Sequence, residues 1–339
     1  MIITNCRSSS LKSWDMCPRQ YFIDYVLGWD NKCGKAAIKG TAVHKVMEIL
    51  AKLKKAKQDN KASVSTDFGK LFTRFHLTSK VAQFEPLIKK VYAHYTKDTE
   101  LNWDEKDLKD CIRWVNKIID NGFDPREKDI IDVEPFFEIE IMQPWAAYDY
   151  TIGGEQVKSF FSIKGTIDLI TRLDSKTIEI IDYKTGKQGR KNWETGKKKT
   201  VEDIGNDIQV RMYDYACHFL YPWAEQVIVT MNYVNDGGPF TVYFNKSDFD
   251  QTEEILKQRF LEIKNTEIPQ CKKSWKCSKF CHFGRSTFEQ TSITPLQVSG
   301  NVMTKCDQID YVLNSQGIEA VMDMGNGNLI DNLDKYNQG

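Results

Sequence analysis

The stretch from Phe160 to Lys187 constrains the fold of this chain more than any other. It holds two runs rich in Ile and Thr, Ile163 to Leu173 and Thr177 to Tyr183, separated by the polar break Asp174-Ser175-Lys176. That is the pattern of two antiparallel strands joined by a tight turn. With the turn centred on Ser175, Leu173 faces Thr177, and Asp168 faces Asp182 because both lie seven residues from the centre. Side chains alternate along a strand, so Asp182 and Lys184 share a face, and Asp168 joins them from the neighbouring strand.

Like charges opposed across a ladder are destabilising unless something neutralises them. A divalent cation held by hard carboxylate oxygens would do so. The set suits metal-assisted hydrolysis of a phosphodiester, in which the ion polarises the phosphate and acidifies a water while the lysine orients that water or offsets charge. A one-residue slip would send one carboxylate to the other face, so the expectation depends on register. Asp-x-Lys alone is a weak signal, and a solvated surface hairpin is the plain alternative. Asp168 within Gly-Thr-Ile-Asp, and Thr185-Gly186 after the lysine, strengthen the catalytic reading.

These residues resemble the core of the RecB-like nucleases of the PD-(D/E)XK superfamily, through Gly165-Thr166-Ile167-Asp168 and Ile181-Asp182-Tyr183-Lys184-Thr185-Gly186. Further matches follow in order: Ser10-Leu11 with Cys17-Pro18-Arg19-Gln20-Tyr21-Phe22, Gly40-Thr41-Ala42-Val43-His44, and Gln209 with Tyr213. Such motifs are hypotheses that structural context must confirm. The resemblance implies a mixed α/β sheet flanked by helices, as in restriction endonucleases, and a DNase using Mg²⁺ or Mn²⁺. It implies His44, Asp168, Asp182 and the Tyr183 carbonyl as ligands of the ion, Lys184 as the group acting on water, and Gln209 and Tyr213 as residues that position the lysine or the DNA. Read alone, one histidine on a helix is a satisfied core residue.

Lys+Arg and Asp+Glu both number 47 in 339 residues, so net charge gives no global pull toward nucleic acid, and any basic footprint is local. No run of eighteen apolar residues and no secretory leader is visible in the sequence, which points to a cytoplasmic protein, host- or virus-encoded, with no membrane. Nine cysteines in that setting suggest thiols or metal ligands before disulfides. No G-x-x-x-x-G-K-[ST] motif occurs, so the sequence shows no nucleotide-driven motor.

Along the chain, Ser8 to Ser10 cap a helix carrying Leu11 and Trp14, and Pro18 opens another that closes at Gly28. Residues 29–39 read as loop, Thr41 to Lys54 as helix with His44 one turn from Glu48, and 55–66 as a polar linker. From Asp67 to Ile119 the apolar spacing is helical, including Phe68, Leu71 and Phe72. Ile130 to Met142 reads as one strand. In it Glu134 resembles the family's Val-Glu motif, while Glu138 and Glu140 read as a wet sheet face. The expected segments are therefore 1–54 with Cys17 and His44, a helical insertion over 55–125, a nuclease core with the cysteine cluster over 126–285, and an acidic appendage over 286–339.

Between Lys184 and Thr200 seven cations (Lys184, Lys187, Arg190, Lys191, Lys197, Lys198, Lys199) meet one acid, Glu194. The run is Gly-rich, contains Trp193 and leaves the carboxylate strand directly. It is expected to be a flexible arm that neutralises DNA phosphates and offers one stacking ring. Asp203 to Tyr221 reads as a helix stopped by Pro222, followed by strands at Gln226–Tyr233 and Phe240–Asn245 and a helix from Asp248 to Asn265.

Cys271, Cys277 and Cys281 fall within eleven residues, one ligand short of a closed site. Some RecB-like nucleases of the AddB and CRISPR-adaptation type clip an early cysteine to three late ones with a [4Fe-4S] cluster, and the resemblance implies Cys17 for that role. The gaps depart from the usual close C-x-x-C pair, and His282 offers a rival ligand, so Zn²⁺ and unligated thiols remain alternatives. Cys6, Cys33, Cys111, Cys217 and Cys306 read as small hydrophobes.

The sequence thus leads to a metal-dependent exonuclease acting on single strands or duplex ends in recombination, repair or DNA processing, with a helicase or recombination protein as a conceivable partner. A catalytically silent DNA-binding subunit and a structure-specific endonuclease are the alternatives.

Overall fold

The structure is a computed structural model that describes residues 1–29, 33–152, 154–187, 189–192, 195–284, 297–298 and 301–324. The chain divides into two compact units, each discontinuous in sequence. One comprises Cys33–Phe137 with Gly165–Glu253, and the other Met1–Lys32, Glu138–Lys164 and Glu254–Gly339.

The first unit is built on a mixed five-stranded sheet. Its strands are β1 (Ile130–Val133), β2 (Leu169–Arg172), β3 (Thr177–Lys184), β4 (Gln226–Tyr233) and β5 (Phe240–Phe244), in spatial order β5-β4-β3-β2-β1. β3 runs parallel to β4 and antiparallel to β2, so it is covered by a neighbour on each side. Seven of its eight residues are buried, which explains why its apolar run is nearly continuous rather than alternating. The pairing Ile178↔Arg172 through Ile181↔Leu169 is the register that a turn centred on Ser175 requires. Asp174 closes that turn by accepting the backbone N–H groups of Lys176 and Thr177, both at 2.8 Å.

Two helices cover opposite faces of β3. Helix α1 (Lys35–Gln58) buries Val43, Val46, Met47 and Leu50 in the core that also holds Ile181 and Tyr183. Each such fully buried side chain contributes about 1.5–3 kcal/mol, an upper estimate. Helices α2 (Val81–Thr96) and α3 (Glu105–Ile118) complete that core with Phe84, Ile88, Trp114 and Val115. On the other face, α4 (Ile208–Leu220) meets Asp182 through Tyr213. Gly40 of α1 permits close approach: a Cβ there would lie 2.9 Å from Thr185 Oγ1.

Several expectations need correction. α1 begins six residues before Thr41, because Lys35 and Lys39 are drawn onto Asp107 at 2.7 and 2.8 Å, and Lys39 also onto Asp110 at 3.0 Å. The expected linker and the start of the expected helical stretch instead form a hairpin, Ser63–Thr66 with Gly69–Phe72. Gly69, at φ +105°, and the Thr66 hydroxyl bonded to its carbonyl make the turn, so the apolar trio Phe68, Leu71 and Phe72 is not helical. The single strand expected over 130–142 breaks at Glu134-Pro135, where Glu134 takes a left-handed φ of 52°. The helix expected from Asp203 breaks at Asn206-Asp207, and Asp207 caps α4 by accepting from the Gln209 N–H. The first run of the central hairpin splits too: Ser162–Thr166 belongs to a three-stranded sheet with Asn5–Cys6 and Phe136–Glu140, and only Leu169–Arg172 pairs with β3.

In the second unit, helix Ser8–Met16 is followed by Pro18–Tyr21 and a π-helical turn over Phe22–Val26. Phe22, Ile23, Leu27, Trp29, Phe283, Ile309 and Val321 share a core. Helices Lys305–Gln316 and Ile318–Met322 are therefore structured parts of the unit, and the end of the expected acidic tail lies outside the described residues. Buried Arg19 holds this region together, donating from Nε to the Pro269 carbonyl at 2.8 Å and pairing with Asp310 at 2.8 Å. No helix among the described residues is long and apolar enough to cross a membrane.

Candidate active site and thiol cavity

Asp182, 1 % exposed, is the centre of the site, projecting from β3 toward α4. Its Oδ1 accepts from Gln209 Nε2 at 3.0 Å and from the Tyr213 hydroxyl at 3.2 Å. Gln209 and Tyr213, one turn apart, are also 2.8 Å from each other, and the Tyr213 hydroxyl lies 3.1 Å from the Thr166 carbonyl. The second carboxylate oxygen, Oδ2, is buried and accepts no hydrogen bond of regular geometry, but the Lys184 ammonium sits 2.7 Å away as an ion pair. Burial alone would lower the Lys184 pKa; the Asp182 and Asp168 carboxylates outweigh that and hold it above the ordinary lysine value.

Asp168 stands just before β2, in the break between two sheets. Its Oδ2 accepts the Tyr183 backbone N–H at 2.9 Å and lies 3.2 Å from His44 Nδ1. Burial would lower the His44 pKa, yet the Asp168 carboxylate raises it to about 9, so at neutral pH the imidazole is a cation. In return, against the upward pull of burial, the charges of His44 and Lys184 keep Asp168 below the usual carboxylate range. Two carboxylates are thus offset by two cations from the same chain.

Glu134, whose sequence resembles the family's Val-Glu motif, stands beside this group. Its N–H donates to the Asp168 carbonyl at 3.2 Å from a strained backbone. Burial, with the Asp168 and Glu48 charges, pushes its carboxyl up to about 8. Pro135 is the signal for the strand break at which it sits.

Carboxylate oxygens and an imidazole suit Mg²⁺ or Mn²⁺. The buried Oδ2 of Asp182, which already has the Lys184 ammonium 2.7 Å away, is the kind of oxygen that suits a cation. Among the described residues no three His, Cys, Asp or Glu side chains are gathered closely enough to hold one ion together, and His44 and Lys184 now stand on the carboxylates.

The basic run after Lys184 is more ordered than a free arm. Lys191 and Lys198 bridge as an antiparallel pair, Lys198 and Lys199 form ion pairs with Asp236 and Asp207 at 2.7 and 3.2 Å, and Arg190 lies over the Phe240 ring. Lys187 and Lys197 are exposed, and Trp193 lies outside the described residues.

The second unit contains a cavity of about 290 Å³ lined by Cys17, Cys271, Cys277, Cys281 and Cys306, with Arg19, Lys272 and Lys276 at its wall. The Lys272 N–H donates to Cys17 Sγ and the Ser274 N–H to Cys277 Sγ, both at 3.4 Å. Burial raises the Cys281 thiol to about 11, against N–H donation from Gly284 and Phe283. The reading of Cys306 as a plain small hydrophobe is corrected, because its sulfur lies 3.4 Å from that of Cys271. Cys33 is exposed rather than buried, whereas Cys6, Cys111 and Cys217 are buried as expected.

A mixed sheet flanked by helices is a nuclease-type fold, and the Asp, Asp-x-Lys cluster beside a helical histidine is its candidate site. A family model described as the PD-(D/E)XK nuclease superfamily matches residues 8–286, and the chain belongs to that superfamily. Solved structures are similar to it as well, two of them as follows. One, a candidate exonuclease from Eubacterium rectale, is 11 % identical with a TM-score of 0.47, the alignment covering 93 % of this chain and 94 % of that one. The other, SSO0001, is 14 % identical with a TM-score of 0.32 over 87 % and 89 % of the two chains. No curated protein matches the chain.

Proposed function

We propose that the protein is a divalent-metal-dependent deoxyribonuclease, working as an exonuclease on DNA ends or single strands during recombination, repair or DNA processing. The observation that carries this reading is the Lys184 ammonium 2.7 Å from Asp182, beside an Asp168 that already neighbours His44. His44, Asp168, Asp182 and the Tyr183 carbonyl would hold the ion, which supplies Lewis acidity at the scissile phosphate. The protein's own groups do the remaining work. Lys184 orients the attacking water and offsets charge that develops on the phosphoryl oxygens. Gln209 and Tyr213 fix the Asp182 carboxylate so that its second oxygen faces the lysine. Lys187, Arg190, Lys191 and Lys197 to Lys199 would meet the phosphate backbone, which positions the strand without reading sequence. A helicase or recombination protein is a compatible partner.

For the thiol cavity, Cys17, Cys271, Cys277 and Cys281 would hold a [4Fe-4S] cluster. Four sulfurs around a void, two accepting backbone N–H groups, with Arg19, Lys272, Lys273 and Lys276 also lining it, suit an anionic sulfur centre. Zn²⁺ is the alternative occupant.

The test is degradation of DNA labelled at either end, linear or circular, with Mg²⁺ or Mn²⁺. Release from the ends of linear DNA, with circles spared, is the expected result. Cutting of circles would replace the exonuclease by an endonuclease, and binding without cutting in either metal would reject the enzyme.

A further inference from the structure

Four thiols complete the terminal ligands of a four-iron cluster, one on each iron. The cavity nevertheless contains a fifth. Cys306 is the second residue of helix Lys305–Gln316 and is 9 % exposed. Its placement is fixed from several directions. Its N–H donates to the Phe283 carbonyl at 3.1 Å, the Thr304 side chain caps the helix by accepting from the Asp307 N–H, and Ile309 anchors the helix in the apolar core. The result is an S–H donated to Cys271 Sγ at 3.4 Å.

Two of the other sulfurs receive backbone donors: the Lys272 N–H at Cys17 and the Ser274 N–H at Cys277. At Cys271 that place is taken by the Cys306 thiol. Groups that hydrogen-bond a ligand hold its orientation, draw charge from its sulfur and shift the potential of the centre.

We propose that Cys306 is a positioning residue of the sulfur centre, an outer-sphere thiol that donates its S–H to the Cys271 ligand and raises the reduction potential of an iron–sulfur cluster held there. This rests on the reading of Cys17, Cys271, Cys277 and Cys281 as cluster ligands. It also gives helix Lys305–Gln316 a role, since the segment that ends the described chain delivers the donor.

The experiment uses the full chain purified without oxygen, with iron and acid-labile sulfide measured and the midpoint potential titrated spectroscopically for wild type, Cys306→Ala and Cys306→Ser. All three should hold the same iron and sulfide. The alanine variant should titrate at a more negative potential, and serine, whose hydroxyl also donates, should move it back toward wild type. Should the alanine variant not fold, Cys306→Met, which fills the volume and donates nothing, takes its place. An unchanged potential in a cluster-loaded alanine variant overturns the outer-sphere role while leaving the cluster intact. Loss of iron in both the alanine and serine variants makes Cys306 a ligand and likewise overturns it. Wild type holding zinc, or neither iron nor sulfide, rejects the cluster reading itself.

Discussion

The end of β3 and the thiol cavity are both clusters of potential metal ligands, and they are stabilised differently. At the sheet end both aspartates are already served: Asp182 by Gln209, Tyr213 and Lys184, Asp168 by the Tyr183 N–H and His44. In the cavity, sulfurs face a void of about 290 Å³ and are held by long contacts to N–H groups and to one another. The difference teaches that the first site is preorganised by the fold, whereas the second depends on what fills it. An ion at the sheet end would contribute chemistry; a centre in the cavity would contribute folding energy.

Asp182→Asn should have the largest effect. It removes a ligand charge and the Lys184 partner, so cleavage should fall by about 10³-fold, in the range seen when preorganised charge is removed from an active site. The melting temperature should barely move, because Gln209 and Tyr213 still find an oxygen. A collapse of stability instead would mean that the carboxylate is structural.

Cys277→Ser should show the reverse. Thermal unfolding should begin earlier, by about 2–4 °C for each kcal/mol of binding energy lost, and the released iron should be measurable. An unchanged melting curve would place the cavity on the same footing as the sheet end. Tyr213→Phe ranks next, with activity down about 10–100-fold as for other groups that orient a metal ligand, and with DNA binding retained in a gel-shift assay.

The smallest effect is in pH dependence. Without the ion, the raised His44 pKa contributes stability that is full below about pH 6.5 and lost as pH rises through about 9. Glu134, pushed up to about 8, acts in the same sense, because its deprotonation at high pH leaves a partly buried charge. An ion that took His44 as a ligand would have to displace its proton, so its affinity should rise over the window in which stability of the ion-free protein falls. Calorimetric Mn²⁺ titrations at pH 6.5 and 8.5 would show both trends, and parallel trends would remove His44 from the ligand set.

The sheet end was largely legible in the sequence because strand register is a local quantity. Two β-rich runs and a three-residue break place Asp168 opposite Asp182, and alternation adds Lys184. Gln209 and Tyr213 followed from helical spacing once the superfamily resemblance had singled them out. Failures arose where tertiary context overrode local pattern. Lys35 and Lys39 extend α1 because Asp107 and Asp110 are more than sixty residues away in sequence but adjacent in space. Phe68, Leu71 and Phe72 fit helical spacing, yet Gly69 imposes a turn. Glu134 was marked only by its resemblance to the Val-Glu motif, and its left-handed backbone at the strand break has no periodic signature. Cys306 could not be paired with Cys271 by any spacing rule, since that contact is made through the packing of helix Lys305–Gln316.

The most direct test of the central claim compares wild type with Lys184→Ala on end-labelled single- and double-stranded DNA in Mg²⁺ or Mn²⁺, with metal and DNA binding measured on the same preparations. The account predicts metal-dependent cleavage by wild type, a loss of about 10²–10⁴-fold in the variant, and unimpaired binding of both ligands. Equal cleavage by the two proteins, or none by wild type in either metal, would contradict it.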